Sequence, residues 1–203
     1  MATKGGTLQD PSQLVKRASI FLVEFRASKE QLVVPNSIVR EPRWVPPPGN
    51  CFKLNFDAAI FQELHASGFG AIIRNANGEV MASISAKRPP VIDSEEAEIL
   101  ACRKALKFAV DAGFRDLIIE GENKVVMTSI TSIHSTFSRL GHLYGDVNCI
   151  AAGIGNLIVN CVPRTANTVA HVLALYARNL EDELVWLEES PPPAFEALYF
   201  DSS

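Results

Sequence analysis

No apolar run in this 203-residue chain approaches the roughly 18 residues that a membrane span requires, so no membrane partner is expected. The opening stretch, Met1 to Asp10, is polar and lacks the apolar core of a secretory signal. The four cysteines, Cys51, Cys102, Cys149 and Cys161, form no CxxC pair and no zinc spacing. They read as reduced residues of an intracellular protein. No basic cluster is dense enough for a nuclear address, so nuclear and cytoplasmic placements are not distinguished. A formal net charge of −4 excludes a protein that coats nucleic acid through bulk positive charge, and leaves room only for a local basic groove. There is no internal repeat.

What is present is the composition of an ordinary globular chain, 47% hydrophobic and 21% charged. Its length allows one domain of roughly 150 residues plus an extension, able to bury a core without staples. Leu14, Ala18, Phe21, Leu22 and Phe25 recur at three- and four-residue spacing and predict a helix over residues 11–28. Trp44-Val-Pro-Pro-Pro-Gly49 is a stiff punctuator. Residues 1–42 are therefore assigned to a helical extension and linker, and residues 43–203 to the main domain, expected as a monomer.

From Cys51 the pattern changes. Phe52, Leu54 and Phe56 alternate with Lys53, Asn55 and Asp57, the mark of a strand with one apolar and one polar face. Asn75-Ala-Asn-Gly78 forms a hairpin turn between strands at 68–74 and 79–86. A helix is expected over 94–112, capped by Asp93 or Ser94 and ended near Gly113. Leu117-Ile-Ile119 is a short strand buried on both faces. Helices over 123–130 and 140–154, a strand over 157–162 and a last helix over 167–178, with Asn167 as its cap, complete an α/β domain with a mixed sheet.

On the wheel of helix 94–112, Glu98 falls in the middle of an arc formed by Ala97, Ala101, Cys102, Ala105, Leu106, Phe108 and Ala109. A carboxylate in a core-facing stripe is costly unless a cation, a metal or a hydrogen-bond network receives it. An arginine or backbone amides could satisfy it as well as a functional partner. Asp57 lies on the polar face of the first strand, and Glu122 follows the strand 117–119 at its carboxyl end. A right-handed crossover through helix 94–112 makes those strands parallel neighbours and brings the three acids together, at the edge where open α/β sheets bind ligands. Converging carboxylates repel unless cations neutralise them, and hard oxygen ligands select Mg²⁺ or Mn²⁺. Two such ions about 4 Å apart are the standard device for in-line phosphodiester hydrolysis. Taken singly, Asp57 and Glu122 read equally as solvated acids at loop ends.

A series of short motifs then coincides in order and spacing: Trp44-Val-Pro-Pro, Lys53-Leu-Asn-Phe-Asp57, Gly68-Phe-Gly-Ala-Ile-Ile-Arg74 with Gly78, Ala97-Glu98, Ile119-Glu-Gly-Glu122, and Arg164-Thr-Ala-Asn167 with Ala170 and Leu173-Ala174. Trp186, Glu189-Ser-Pro-Pro and Asp201 follow. Together they resemble the plant ribonuclease H-like domains of non-LTR retroelement origin. The resemblance implies a ribonuclease H-like fold with a five-stranded mixed sheet flanked by helices, and a two-metal site of four acids. By position, Asp57 is the ligand bridging both metals and Glu98 the helix ligand. Glu122 stands where the family has its second Asp, and His171 where it has its last. Ala58 replaces a usual glycine.

These departures bear on activity. Glu122 keeps the charge but adds a methylene, about 1.5 Å of reach, to a site whose Mg²⁺ tolerates little distortion. His171 removes a negative charge and offers nitrogen in place of oxygen. It reads either as a residue that could hold Mn²⁺, a water or a proton, or as a half-exposed helix residue without metal contact. The resemblance implies metal-dependent cleavage of RNA in RNA/DNA hybrids, weakened by Glu122 and His171. A non-catalytic nucleic-acid-binding module and a protein-interaction module stand as alternatives. Lys53, Asn55, Arg74, Arg164 and Asn167 are the expected nucleic-acid contacts, with Asn75, Lys87 and Arg88 as further candidates.

Overall fold

In the computed structural model the residues described are 42–131 and 139–202, which lie in one unit, Glu41–Ser203. The helix expected over 11–28 falls outside them. Strand β1 (Phe52–Phe61) runs antiparallel to β2 (Ala66–Arg74), which pairs antiparallel with β3 (Val80–Arg88). The β2–β3 turn closes at Gly78, where φ is +79° and a side chain would be strained. Asn75 Oδ1 accepts from the amides of Asn77 and Glu79 and fixes it.

Helix α1 (Ser94–Asp111) starts at Asp93, whose Oδ1 accepts from Glu96 N at 2.9 Å. It carries the chain across to β4 (Asp116–Gly121), which pairs parallel to β1 from Phe52↔Leu117 to Asn55↔Glu120. Helices α2 (Lys124–Ile130) and α3 (Gly141–Ala152) lead to β5 (Asn156–Cys161), parallel to β4. Helix α4 (Thr168–Tyr176) follows, then strand β6 (Glu183–Leu187) and helix α5 (Phe195–Asp201).

The sheet has six strands, in the order β5-β4-β1-β2-β3-β6, and not the five expected. The sixth, β6, pairs antiparallel with the outer edge of β3, from Ala82↔Leu187 to Ala86↔Glu183. It is five residues long and leaves Leu184, Val185 and Leu187 exposed, so it shows neither the alternation nor the burial that marks a strand in sequence.

Each face of the sheet has its own core. On one, Leu54 and Phe56 pack with Ile99, Cys102 and Leu106 of α1, Val126 of α2 and Val147 of α3. On the other, Ile72 and Val80 meet Val169 and Leu173 of α4, Trp186 of β6 and Ala197 of α5. Helix α4 lies very close to β2. A Cβ added at Gly70 would sit 2.3 Å from the backbone nitrogen of Ala174 and 2.4 Å from the carbonyl oxygen of Ala170. Gly70 pairs in register with Asp57, so this close approach sets the height of α4 above that residue.

Gly70→Ala is accordingly expected to push α4 away and to cost at least about 3 kcal/mol, through backbone that cannot give way. Urea unfolding of the variant beside the native chain measures this, and an unchanged midpoint would disprove the contact.

Candidate active site

Four expected site residues come from four different elements. Asp57 is the sixth residue of β1 and has no exposed surface. Glu98 lies in the second turn of α1, Glu122 directly follows β4, and His171 sits in the first half of α4. The parallel pairing of β1 with β4 brings Asp57, Glu98 and Glu122 close enough to perturb one another's ionisation. His171 completes the group, with its Nδ1 2.7 Å from Asp57 Oδ2.

A fifth residue shares the site. Arg164 opens the 3-10 turn (Arg164–Ala166) that joins β5 to α4. Its Nε lies 2.6 Å from Glu122 Oε1 and 2.7 Å from Oε2, its Nη1 2.6 Å from His171 Nδ1 and 4.0 Å from Asp57 Oδ2. Expected as a nucleic-acid contact, Arg164 instead turns its guanidinium onto the acids while its side chain stays 51% exposed. Arg164 lies in the turn before the helix that bears His171, so no helical spacing in the sequence links the two. His171 Nδ1 has either a proton or a lone pair, so it cannot donate to Asp57 and accept from Arg164 at once. The two contacts compete for one nitrogen.

Burial sets the electrostatics of the acids. It raises the Asp57 carboxyl above its ordinary range, with Glu122 adding to the rise and His171 and Arg164 opposing it. Glu98 is pushed up to about 8 by burial and then by its contact with Asp57. Asp57 Oδ1 and Glu98 Oε2 are buried with no hydrogen-bond partner, and two acids this close do not both ionise readily. Burial works against the charge of Arg164, but its bonds to Glu122 and the charges of Asp57 and Glu98 outweigh that, and it is held more firmly protonated than an ordinary arginine.

The other expected nucleic-acid contacts lie in the interior. Lys53, Asn55, Arg74 and Asn167 are all buried, because α4, Trp44 and α5 cover the polar face of β1. Lys53 Nζ pairs with Glu120 Oε1 at 2.8 Å and donates to the carbonyl of Val45 at 2.5 Å. Asn55 Oδ1 accepts from Trp44 Nε1 at 2.9 Å, and its Nδ2 donates to Glu120 Oε2 and Asn167 Oδ1. Arg74 stacks over Trp44, 3.6 Å from the ring centre, and pairs with Asp201 Oδ2 at 2.7 Å. Asn167 precedes α4 without capping it, since its Nδ2 is turned to the carbonyl of Phe56 and to Glu122 Oε1. A polar face covered by a helix becomes an internal network in which every group needs a partner. The acids that could have substituted for a missing ligand are engaged as well. Glu120 is taken by Lys53 and Asn55, and Glu95 accepts from the Tyr144 hydroxyl at 2.6 Å. Arg88 and Asn75 are also partnered, Arg88 with Asp182 and Glu183 and Asn75 with Glu79.

Residues 55–177, more than half of the chain, match the family described as Reverse transcriptase-like. The chain belongs to this family. Its ribonuclease H-like fold is shared with solved structures at low identity. RNase H1 from the halophilic archaeon Halobacterium salinarum NRC-1 superposes with a TM-score of 0.57 at 23% identity, over 63% of this chain and 97% of that one. The N-terminal RNase H domain of Rv2228c from Mycobacterium tuberculosis gives 0.56 at 21%, over 64% and 95%. LC11-RNase H1, from a compost metagenome and solved with an RNA/DNA hybrid, gives 0.56 at 17%, over 63% and 96%. No curated protein matches the sequence.

For this reverse transcriptase-like domain, the two metals implied by the four-acid pattern do not fit the site as it stands. Both oxygens of Glu122 are engaged by Arg164, and Asp57 Oδ2 is engaged by His171. Among the described residues no three His, Cys, Asp or Glu side chains are arranged to hold a metal ion. The buried oxygens of the site that stand without a partner, Asp57 Oδ1 and Glu98 Oε2, come from two acids, too few for a pair of hard cations while Arg164 holds Glu122. Among the same residues no helix is long and apolar enough to cross a membrane.

Two predictions follow from the charges. The folded chain keeps the Glu98 proton to about pH 8, whereas an ordinary glutamate releases it at 4.5. The folded state therefore binds more protons between those values, and stability falls as pH rises through that window. Glu98→Gln is expected to match the native chain at the acid end and to exceed it at the alkaline end, by about 2 kcal/mol after solvent screening. Denaturant midpoints across the window check this, and a native stability that rises with pH contradicts it. Separately, Asp201→Ala leaves Arg74 charged and buried, and an expected loss of about 3–5 kcal/mol would appear in the same unfolding assay.

Proposed function

We propose that this domain binds RNA/DNA hybrids through a ribonuclease H-like surface and that its cleavage of the RNA strand, of the Mg²⁺- or Mn²⁺-dependent hydrolytic class, is strongly weakened. The observation that carries this reading is the occupation of the acidic cluster by Arg164 and His171, which takes up the oxygens that such chemistry requires. Hybrid binding is supported by family membership, by the fold shared with LC11-RNase H1 and by the half-exposed side chain of Arg164 beside the acids. Lys124, exposed at the start of α2 two residues beyond Glu122, adds a second cation on that rim. An A-form-like duplex is recognised by shape, phosphates and 2′-hydroxyls, so little base preference is expected.

A second reading, binding without any cleavage, is favoured by the same two residues. Direct assay separates the two. The native chain is expected to bind a labelled hybrid with affinity that falls as salt rises, and to cut it slowly or not at all in Mg²⁺ and in Mn²⁺. His171→Asp restores an oxygen ligand and is expected to raise any cleavage on the order of 100-fold, whereas Asp57→Asn abolishes it. Silence of both the native chain and His171→Asp leaves the pure binding reading. Absence of salt-sensitive hybrid binding removes both and leaves a protein-interaction role.

A further inference from the structure

The acidic cluster carries its own cation. Asp57 is fully buried, and Glu122 is four-fifths covered, with a side-chain exposure of 18%. Two carboxylates in such surroundings require positive charge close by. Arg164 supplies it, with its Nε against both oxygens of Glu122 and its Nη1 against His171 Nδ1, 4.0 Å from Asp57 Oδ2. Guanidinium is planar, stays charged at any physiological pH, and is more weakly hydrated than an ammonium group, so it suits a carboxylate site half closed to water. Its stem is long and half exposed, and the turn that bears it lies outside the sheet, so the group can leave the site by changing rotamer alone.

We propose that Arg164 acts as an internal counter-ion in place of a divalent metal, so that the site is assembled without metal and a divalent cation enters only as Arg164 withdraws. The inference concerns the same site as the functional reading but does not need nucleic acid to be tested. Arginine and metal compete for Glu122 and Asp57, and competition of this kind is reciprocal: whatever removes the arginine strengthens the metal. His171 belongs to the same switch. With Arg164 withdrawn, its Nδ1 is released to serve Asp57 alone, and the competition for that nitrogen ends.

The test is calorimetric titration of Mn²⁺ into the purified full chain and into Arg164→Gln and Arg164→Lys, with thermal unfolding in EDTA and in Mg²⁺. The native chain is expected to melt at the same temperature in both and to bind Mn²⁺ weakly. Arg164→Gln is expected to bind Mn²⁺ about tenfold more tightly or better, to melt lower in EDTA and to recover in Mg²⁺. Arg164→Lys, a point charge without the fork, is expected between the two. Equal Mn²⁺ affinity in native and Arg164→Gln overturns the proposal, as does a variant indifferent to both EDTA and metal. Should Arg164→Gln not fold in EDTA, folding on addition of Mn²⁺ supports the proposal. Failure to fold even then transfers the decision to Arg164→Lys, whose Mn²⁺ affinity must exceed that of the native chain. A chain that binds no hybrid but gains metal on losing Arg164 would refute the functional reading and leave this one standing.

Discussion

A carboxylate with no exposed surface in a central strand has to be compensated, and the compensation of Asp57 organises this domain. Desolvation of such a group costs several kcal/mol even after the surroundings relax. Helix α4 is held against β2 by glycine at the position facing Asp57, and that contact delivers His171 to within hydrogen-bonding distance. The turn before α4 delivers Arg164, and the crossover through α1 delivers Glu98. The fold thus spends a very close helix–sheet contact on the placement of one ionisable group. A ribonuclease H-like framework supports this without modification, since the acids enter from separate elements and each can be replaced without redirecting a strand.

The buried face of β1 shows a second use of the same physics. Lys53, Asn55 and Asp57 alternate with the apolar Leu54 and Phe56, yet both sets are covered. Lys53 is neutralised by Glu120 and Arg74 by Asp201, while Trp44 lays an aromatic plane under the guanidinium of Arg74 and donates its indole N–H to Asn55. Asn55 and Asn167 then link this structural network to the acidic cluster, because Asn167 donates to Glu122. The acids of the site therefore stand at the end of a hydrogen-bonded chain whose other end is the Arg74–Asp201 pair.

Much of this was open to reading in the residues. Leu117-Ile-Ile119 is apolar on both faces because it lies between β1 and β5 under helices, and the position of Glu98 in the apolar arc of its helix already demanded a partner. What the pattern could not reveal was the side from which α4 approaches. An alternating strand reads as half solvated whether its polar face meets water or a helix, so the pattern does not tell that Lys53, Asn55 and Arg74 are buried. Strand β6 escaped for the opposite reason, since an exposed edge of five residues carries apolar side chains without a buried side to order them. The sequence marks Arg164 as a cation near the last helix, but it does not say that acids face the turn that bears it.

The pairing of Arg74 with Asp201 joins residues 127 positions apart. During synthesis, β1 to β3 leave the ribosome long before α5, and the hairpin then carries a guanidinium whose counter-ion has not yet been made. The early strands can pair, and Lys53 finds Glu120 on β4, but Arg74 has no buried counter-ion until Asp201 of α5 is in place. The burial of that charge therefore waits on the segment that carries Asp201, whichever strands pair before it.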